Sequence, residues 1–166
     1  MDENEYRTAA TSIRQAMVES HEGWAAADRT MNPYAETWLS GVVDRLVLAA
    51  GDEKIDYFES RGTPMEGDPQ HLIAFTESRR IKLDATYSSR GGSESSAVTW
   101  SRRGLRSVEV TSVDPYNGGE WPRRLRLQLT YAEGVALELG GAEADPFASR
   151  RLVAFYPSLL ADLDRP

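Results

Sequence analysis

The sequence predicts an α+β fold with two N-terminal helices, an antiparallel six- to seven-stranded barrel or curved sheet, and a C-terminal helix. Two observations predict it. Apolar residues recur at helical spacing in the first third of the chain and again near its end. Between these regions they alternate with polar residues over short segments, as in half-buried strands. We expect a single domain over residues 1–166, with a helical part at 1–51 and a β part with its C-terminal helix at 55–163.

The two N-terminal helices differ in how much of their surface is apolar. The first is predicted between Tyr6 and Asp28, and its apolar stripe consists of Ile13, Met17, Trp24 and Ala27. The second begins at Asn32-Pro33, an N-cap followed by proline, and ends before Gly51. Its apolar residues cover more than one face, and they are Trp38, Leu39, Val42, Val43, Leu46 and Val47. We therefore expect the second helix to be buried on two sides.

Six or seven strands are predicted after Gly51, because residues 55–59 fit either a short strand or a connector. The segments are 55–59, 71–76, 80–87, 97–102, 105–113, 123–131 and 135–139. Loops rich in Gly, Pro or Ser separate several of them, at 61–69, 88–96 and 114–122. Glu133-Gly134 is typical of a hairpin turn between the last two strands.

The C-terminal segment fits two structures. Asp145-Pro146 is typical of a helix start, and a helix would align the apolar residues Ala148, Leu152, Phe155, Leu159 and Leu163. Pro157 falls inside that helix, where it removes one hydrogen bond and costs ~3 kcal/mol. The alternative is a strand at 151–156, followed by a short helix that Pro157 opens. We favour one helix with a kink at Pro157.

Composition restricts the function classes. The formal charge is −7, from 26 acidic and 19 basic residues, whereas a nucleic-acid binder needs a positive surface. The chain has no cysteine, which excludes disulfides and thiolate metal sites. Its acidic start is unlike a signal peptide, and its longest apolar run, Leu46 to Ala50, is far shorter than the ~20 residues of a membrane span. We expect a cytoplasmic protein, and the strong preference for Arg over Lys indicates a GC-rich bacterial genome.

No catalytic motif is present in the sequence. His21-Glu22 begins like the zinc-protease helix motif, but Ala25 occupies the position of its second histidine. The serines at 88–96 lack a nucleophile-elbow motif, and no phosphate-binding Gly-Lys-Ser/Thr occurs. We therefore expect no metal and no cofactor, and we favour a binding protein over an enzyme. Its partner would be another protein or a second copy of the chain.

Two segments resemble the bacterial pleckstrin-homology-like (PH-like) family. Leu72–Ile81, with a Thr before its turn and an Arg after it, is similar to that family's strand–turn–strand. Val98–Val110 is similar to its strand followed by an Ile/Leu-x-x-Val segment, and Leu125–Leu139 is similar to the next hairpin. The resemblance spans about residues 55–163. It implies a bent antiparallel sandwich that a C-terminal helix closes at one end.

This resemblance also implies a function. PH-like domains mostly bind peptides, partner domains or anionic head groups, so the expectation is a non-catalytic protein-interaction or assembly module. The N-terminal helices have no counterpart in the family pattern. The alternative is a helix-grip (START-like) fold, in which a curved sheet wraps a C-terminal helix around an apolar cavity. That fold would imply a binder of small apolar ligands or an enzyme.

Paired arginines are the candidate binding residues. They lie at predicted turns or strand ends and are Arg79, Arg80, Arg102, Arg103, Arg123 and Arg124. If these turns gather at one end of a barrel, the guanidinium groups form a rim for an anionic partner. They would otherwise be unrelated surface residues, or would pair with residues 1–70, which hold 14 acidic and 6 basic side chains. Tyr116 and Trp121 either form a contact loop, because Tyr and Trp are enriched at binding hot spots, or pack that loop against the barrel.

Overall fold

The computed structural model describes residues 1–20, 24, 33–61, 67–86, 95–116, 118–119, 122, 124–140 and 146–165, with the backbone alone for 33–35 and 146–148. This part of the chain contains three helices and seven strands. The helices are α1 (Glu3–Ser20), α2 (Pro33–Ala50) and α3 (Pro146–Leu163). The strands are β1 (Tyr57–Arg61), β2 (Pro69–Phe75), β3 (Arg79–Thr86), β4 (Ser95–Ser101), β5 (Leu105–Val113), β6 (Leu125–Tyr131) and β7 (Ala136–Leu139). The α+β class and the helices at both ends are confirmed.

The strands form two antiparallel sheets and not one closed barrel. One sheet has the order β1-β2-β3-β4, and the other has the order β5-β6-β7. Although β4 and β5 are consecutive, each is an edge strand of a different sheet. The backbone between them passes through Gly104, whose φ of +81° lies in the left-handed region that glycine adopts readily. The predicted single barrel or curved sheet is therefore wrong, because the chain changes sheets there and β5 pairs with β6.

The chain divides into two compact units, residues 1–100 and residues 101–166. The first unit combines α1 and α2 with the four-stranded sheet, and the second combines the three-stranded sheet with α3. The boundary falls inside the strand region and not at the helix–strand transition near residue 51. The single domain over residues 1–166 stays a prediction.

In the first unit, the two N-terminal helices cover one face of the sheet. Strand residues that alternate along the chain supply this face, and they are Phe58, Leu72, Ala74, Ile81, Leu83 and Ala85. The apolar residues of α2 in the same core are at most 4% exposed, and they are Trp38, Leu39, Val42, Val43, Leu46 and Val47. Burial of each such large side chain contributes roughly 1.5–3 kcal/mol. The predicted two-sided burial of α2 is confirmed, and the helices belong to the core of this unit.

The apolar stripe of α1 is buried as its spacing predicts. Ile13 and Met17 are in the core, and the ring of Trp24 stacks on that of Trp38 with the centroids 5.4 Å apart. The predicted stripe residue Ala27 and the predicted N-cap Asn32 lie outside the described residues.

The start of α1 differs from the prediction by three residues. Asp2 and Glu5 form a capping box: the Oδ1 atom of Asp2 accepts from the backbone N–H of Glu5 at 2.9 Å, and the Oε2 atom of Glu5 accepts from the N–H of Asp2 at 2.7 Å. The helix therefore begins at Glu3 and not at Tyr6.

In the second unit, α3 contacts β5 and β6. The buried apolar residues of this unit are Leu105, Leu125, Leu127, Leu129, Tyr131, Leu139, Leu152, Phe155 and Leu159. Residues 151–156 are helical and Pro157 lies inside the helix, so the strand alternative for this segment is wrong. The predicted hairpin turn at Glu133-Gly134 is confirmed, since the N–H of Tyr131 donates to the carbonyl oxygen of Val135 at 3.0 Å.

Candidate interaction surface

The predicted arginines divide between the two units. The described ones are Arg79 and Arg80 in the first unit and Arg102, Arg103 and Arg124 in the second. Arg123 lies outside the described residues. A common rim for an anionic partner stays a prediction, and the surroundings of the five described arginines differ from one to the next.

Arg79 stabilises the C-terminal end of α2. Its Nη1 atom donates to the carbonyl oxygens of Ala49 at 3.1 Å and Ala50 at 3.0 Å. The last carbonyl groups of a helix have no partner within the helix, and a basic side chain can supply one. The N–H of Gly51 donates to the carbonyl oxygen of Val47 at 2.9 Å, and the φ of Gly51 is +69°, which ends the helix where the sequence predicts.

Glu53 connects the end of α2 to the turn between β2 and β3. Its carboxylate accepts hydrogen bonds from the Thr76 hydroxyl at 2.7 Å and from the N–H of Ser78 at 2.8 Å. The Nε atom of Arg79 lies 3.3 Å from its Oε1 atom. Burial by itself would raise the pKa of Glu53, but the hydrogen bonds from Ser78 and Thr76 and the charge of Arg79 lower the pKa below its ordinary value. Arg79 and Glu53 together fix this turn against the helix end.

Arg80 and Arg102 are buried, unlike most arginines. Arg80 is 2% exposed, and its guanidinium carbon lies 5.2 Å from the centre of the Trp100 ring. Arg102 is 3% exposed and forms an ion pair with Asp162, which is 1% exposed. Each guanidinium therefore has contacts within its own unit, and neither is presented to solvent.

Arg103 and Arg124 have exposed side chains. The backbone N–H of Arg103 donates to the Ser101 hydroxyl at 3.1 Å, and that of Arg124 donates to the Oδ1 atom of Asp114 at 2.9 Å. These bonds use the backbone and leave both guanidinium groups in solvent. Of the described arginines in the predicted rim, these two best fit contact with an external anion.

The edge strand β5 is the most exposed strand of the second unit. Seven of its nine residues are exposed, Val108 is partly buried and Leu105 is buried. The exposed fractions are 45% for Val110 and 41% for Val113, and Tyr116 just beyond the strand is 71% exposed. The predicted contact residue Tyr116 is thus on the surface, while Trp121 lies outside the described residues.

The exposed valines continue the apolar face of the second sheet to its open edge. Val113 pairs with Leu125, and Val110 pairs with Leu127. Residues directly opposite each other on neighbouring strands share a face. The two leucines and the two valines therefore lie on one face of the sheet, which is buried at β6 and exposed at β5. The outer edge of β5 has no strand partner among the described residues. We call Val110, Val113, Tyr116 and this edge the β5 surface.

Two irregularities interrupt the pairing of β5 with β6. The register shifts between Leu105 and Ser107 and again between Val110 and Ser112. Such bulges bend an edge strand and hinder long edge-to-edge pairing. The regularly paired part of β5 is therefore the short run Ser107–Val110.

A partly exposed polar cluster lies on the face of the first sheet that points away from the helices. His71 is opposite Asp84 in the register, and its Nδ1 atom lies 2.6 Å from the Asp84 carboxylate. Lys82 binds the same carboxylate at 3.0 Å. Burial by itself would raise the pKa of Asp84, but the hydrogen bonds from His71 and Lys82 lower the pKa below its ordinary value. In the part of the chain that the structure describes, no group of three or more His, Cys, Asp and Glu side chains is arranged to hold a metal ion.

Two cavities lie in the helical part of the first unit. A groove of about 1070 Å³ is lined by α1, the end of α2 and the connector to β1, and a pocket of about 190 Å³ is lined by α1 and α2. Neither has a strand residue in its walls, in contrast to the apolar cavity that a helix-grip fold would place against its sheet. Within the described ranges, each helix is too short or too polar to cross a membrane.

Comparison of the chain with protein-family models, with curated proteins and with solved structures gave no match. The PH-like resemblance therefore stays a prediction.

Proposed function

We propose that the chain is a non-catalytic, PH-like protein-interaction module of a bacterial cytoplasm, and that it binds a short extended peptide segment of a partner protein at the β5 surface. The order of the elements supports the first part: a four-stranded antiparallel sheet is followed by a three-stranded one and by a C-terminal helix. The N-terminal helices are an addition to this pattern. The observation that carries the second part is the open edge of β5 with its exposed apolar side chains.

Strand addition to β5 would use two kinds of contact. An extended peptide pairs its backbone N–H and C=O groups with those of an open sheet edge. Val110 and Val113 then contact apolar side chains of the peptide, and Tyr116 extends the apolar area beyond the strand. Because successive side chains of an extended chain point to opposite faces, the peptide that fits has apolar residues at alternate positions.

The bulges favour a short peptide over a second copy of β5. Pairing of two complete β5 strands would need a regular edge along both, and the register shifts on either side of Ser107–Val110 prevent this. A short peptide needs only the regular run and the valines beside it. We therefore assign the edge to a partner segment and not to self-association.

The test begins with selection of short random peptides on the purified protein. Selected peptides should carry alternating apolar residues, and on binding they should slow amide hydrogen exchange at Ser107–Val110. Replacing Val110 and Val113 with Lys should weaken binding about tenfold or more, because each loses apolar contact of about 1 kcal/mol and gains a charge to desolvate.

The matched control is Val98→Lys. Val98 is 47% exposed on β4, an edge strand of the first sheet, and belongs to the first unit. The Val98→Lys variant should bind the selected peptides as tightly as the original chain does, and it should have the same melting temperature. The proposal fails if selection enriches no peptide above a mock selection, or if the Val110/Val113 variant binds as tightly as Val98→Lys.

A further inference from the structure

Strand β4 lies at the edge of the first sheet, and it consists of Ser95–Ser101. Its outer edge has no strand partner in the part of the chain that the structure describes. Four of its seven residues are exposed, and the other three are partly buried. The backbone donors and acceptors along this edge are therefore open to pairing with another strand.

The other described edge strands carry charged residues, whereas β4 carries none. β1 contains Glu59 and Arg61. β5 contains Arg106 and Glu109, and β7 contains Glu138. Charges on an edge strand hinder its pairing with another sheet, and so do the register shifts of β5. The sequence of β4, Ser-Ser-Ala-Val-Thr-Trp-Ser, also lacks Pro and Gly, so among the described edges β4 is the least protected against pairing.

The side chains of β4 alternate between the two faces of the first sheet. Ala97 packs against the core that the helices cover, so Val98 and Trp100 are on the opposite face. The guanidinium of Arg80 lies over the Trp100 ring, and Arg80 is on that opposite face because its neighbour Ile81 is in the helix-side core. Val98 is the middle residue of the strand and is 47% exposed. The midpoint of this open edge is thus an exposed apolar side chain.

We infer that two copies of the chain associate by antiparallel pairing of their β4 strands about a two-fold axis at Val98. In this register Val98 lies opposite Val98 of the second copy, Ala97 lies opposite Thr99, and Ser96 lies opposite Trp100. Each small side chain next to the centre therefore faces a larger one. The Trp100 ring also reaches Val98 of the second copy, because diagonal neighbours across a strand pair are within contact distance of large side chains.

The charges of the edge strands distinguish β4 as the strand that can pair with itself. A symmetric pair places the middle residue of a strand opposite its own copy. The middle residue is Glu59 in β1 and Glu109 in β5, so symmetric pairing of either strand would oppose two carboxylates. In β4 the same symmetry brings two valines together. A second copy is thus the occupant that this edge fits, and the inference does not depend on the β5 surface.

Pairing of a single seven-residue strand covers a small area. Interfaces below about 1,200 Å² are typical of weak, transient complexes, so we expect a dissociation constant above roughly 10 µM. Peptide-binding and melting measurements below this concentration then observe the monomer. Val98→Lys consequently stays a valid control for the β5 surface in those measurements.

The test measures the oligomeric state of the complete chain by sedimentation equilibrium, from about 10 µM to about 1 mM. The original chain should pass from monomer to dimer, and amide hydrogen exchange at residues 95–101 should slow over the same range. Val98→Lys and Val98→Glu each place two like charges opposite each other, so each should weaken association about tenfold or more. The control is Leu48→Lys, which changes an 80% exposed residue of α2 and should associate like the original chain.

An equimolar mixture of Val98→Lys and Val98→Glu tests the register. A two-fold pair at position 98 places the new lysine of one copy opposite the new glutamate of the other, so the mixture should associate at least about tenfold more tightly than either variant alone. The proposal is overturned if the original chain stays monomeric over this range or if Val98→Lys associates like the original chain. It is also overturned if the mixture associates no more tightly than its components.

Discussion

Arg102 and Asp162 form an ion pair in which the side chains are 3% and 1% exposed. The same guanidinium donates to the Ser158 hydroxyl and lies over the Phe155 ring, 4.9 Å from its centre. Residues from three successive turns of α3 thus bind one side chain that precedes β5. The sequence interpretation of Arg102 as part of an anion-binding rim competes with this internal role, and stability measurements separate the two.

Replacing Arg102 with Ser should lower the free energy of unfolding by up to about 3–5 kcal/mol, because it leaves the buried Asp162 carboxylate with only the exposed Arg165, at 3.4 Å, as a cationic partner. Arg103→Ser and Arg124→Ser should change it by less than ~0.5 kcal/mol, because both side chains are exposed. Urea unfolding followed by circular dichroism measures all three. Replacing the pair together, with Arg102→Met and Asp162→Leu, should be less destabilising than Arg102→Ser. Equal stability of the three single variants would contradict the structural role of Arg102.

The lowered pKa of Glu53 predicts a pH-dependent contribution to stability. The pKa is lower in the folded chain than in the unfolded one, so ionised Glu53 stabilises the fold above the unfolded pKa of about 4.3. This contribution is lost as the pH falls through the folded pKa. In Glu53→Gln the free energy of unfolding should therefore decline less steeply with falling pH below about 5.

Urea unfolding at a series of pH values between neutral and acid measures this slope. Glu109→Gln is the control, since Glu109 is exposed on β5 and forms no ion pair with a described residue. Identical slopes for Glu53→Gln and the original chain would show that the bonds to Thr76 and Ser78 do not favour the ionised form.

Position 140 requires a glycine for two reasons, its backbone conformation and the close approach of neighbouring atoms. Its φ is +74°, and a Cβ atom there would lie 1.9 Å from the carbonyl oxygen of Leu125. Gly134 has a similar φ of +79° but no atom within 4 Å of such a Cβ. Gly134→Ala should cost about 1–2 kcal/mol for the left-handed backbone alone. Gly140→Ala should cost clearly more, and similar melting temperatures for the two variants would show that this close approach is relieved without strain.

Leu46 and Leu48 test whether the N-terminal helices belong to the core of the first unit. Leu46 is 0% exposed and Leu48 is 80% exposed on the same helix. Leu46→Ala should lower the free energy of unfolding by about 2–5 kcal/mol, through lost burial and a cavity. Leu48→Ala should change it by less than ~0.5 kcal/mol. If both variants unfold at the same urea concentration as the original chain, α2 unfolds separately from the sheet that it covers.

Local signals were sufficient for several elements. Pro33 and Gly51 mark the two ends of α2, because a proline fits the first turn of a helix and a glycine fits its end. Both effects act within a few residues. The range 105–113 of β5 follows from the polarity and β-branched residues of that segment, and the strand has those bounds. Which strands pair is a different question, because pairing joins distant segments. The change of sheet at Gly104 therefore had no local signature that distinguished it from an ordinary turn.

The burial of Arg102 also depended on a distant residue, although one signal for it exists. Asp162 is three residues after Leu159 and seven after Phe155, which places an acid on the apolar stripe of α3. A buried carboxylate needs a cation, and that need points to an arginine elsewhere in the chain. The exposure of Val110 and Val113 had no such signal, because a valine in an edge strand has the same sequence pattern as one in a central strand.

Pro157 interrupts the backbone hydrogen bonding of α3 between its two halves. A proline has no N–H, so the carbonyl oxygen of Val153 lacks the donor that normally lies four residues further on. The helix is consequently easiest to bend at this point, between Leu152 in its first half and Ser158 and Asp162 in its second. A hinge motion there would withdraw the last turns from Arg102 while Leu152 keeps the first half on the sheet. Any such bend would have to break the ion pair between Arg102 and Asp162 and also withdraw the buried side chain of Leu159, so both contacts hold the second half of α3 in place.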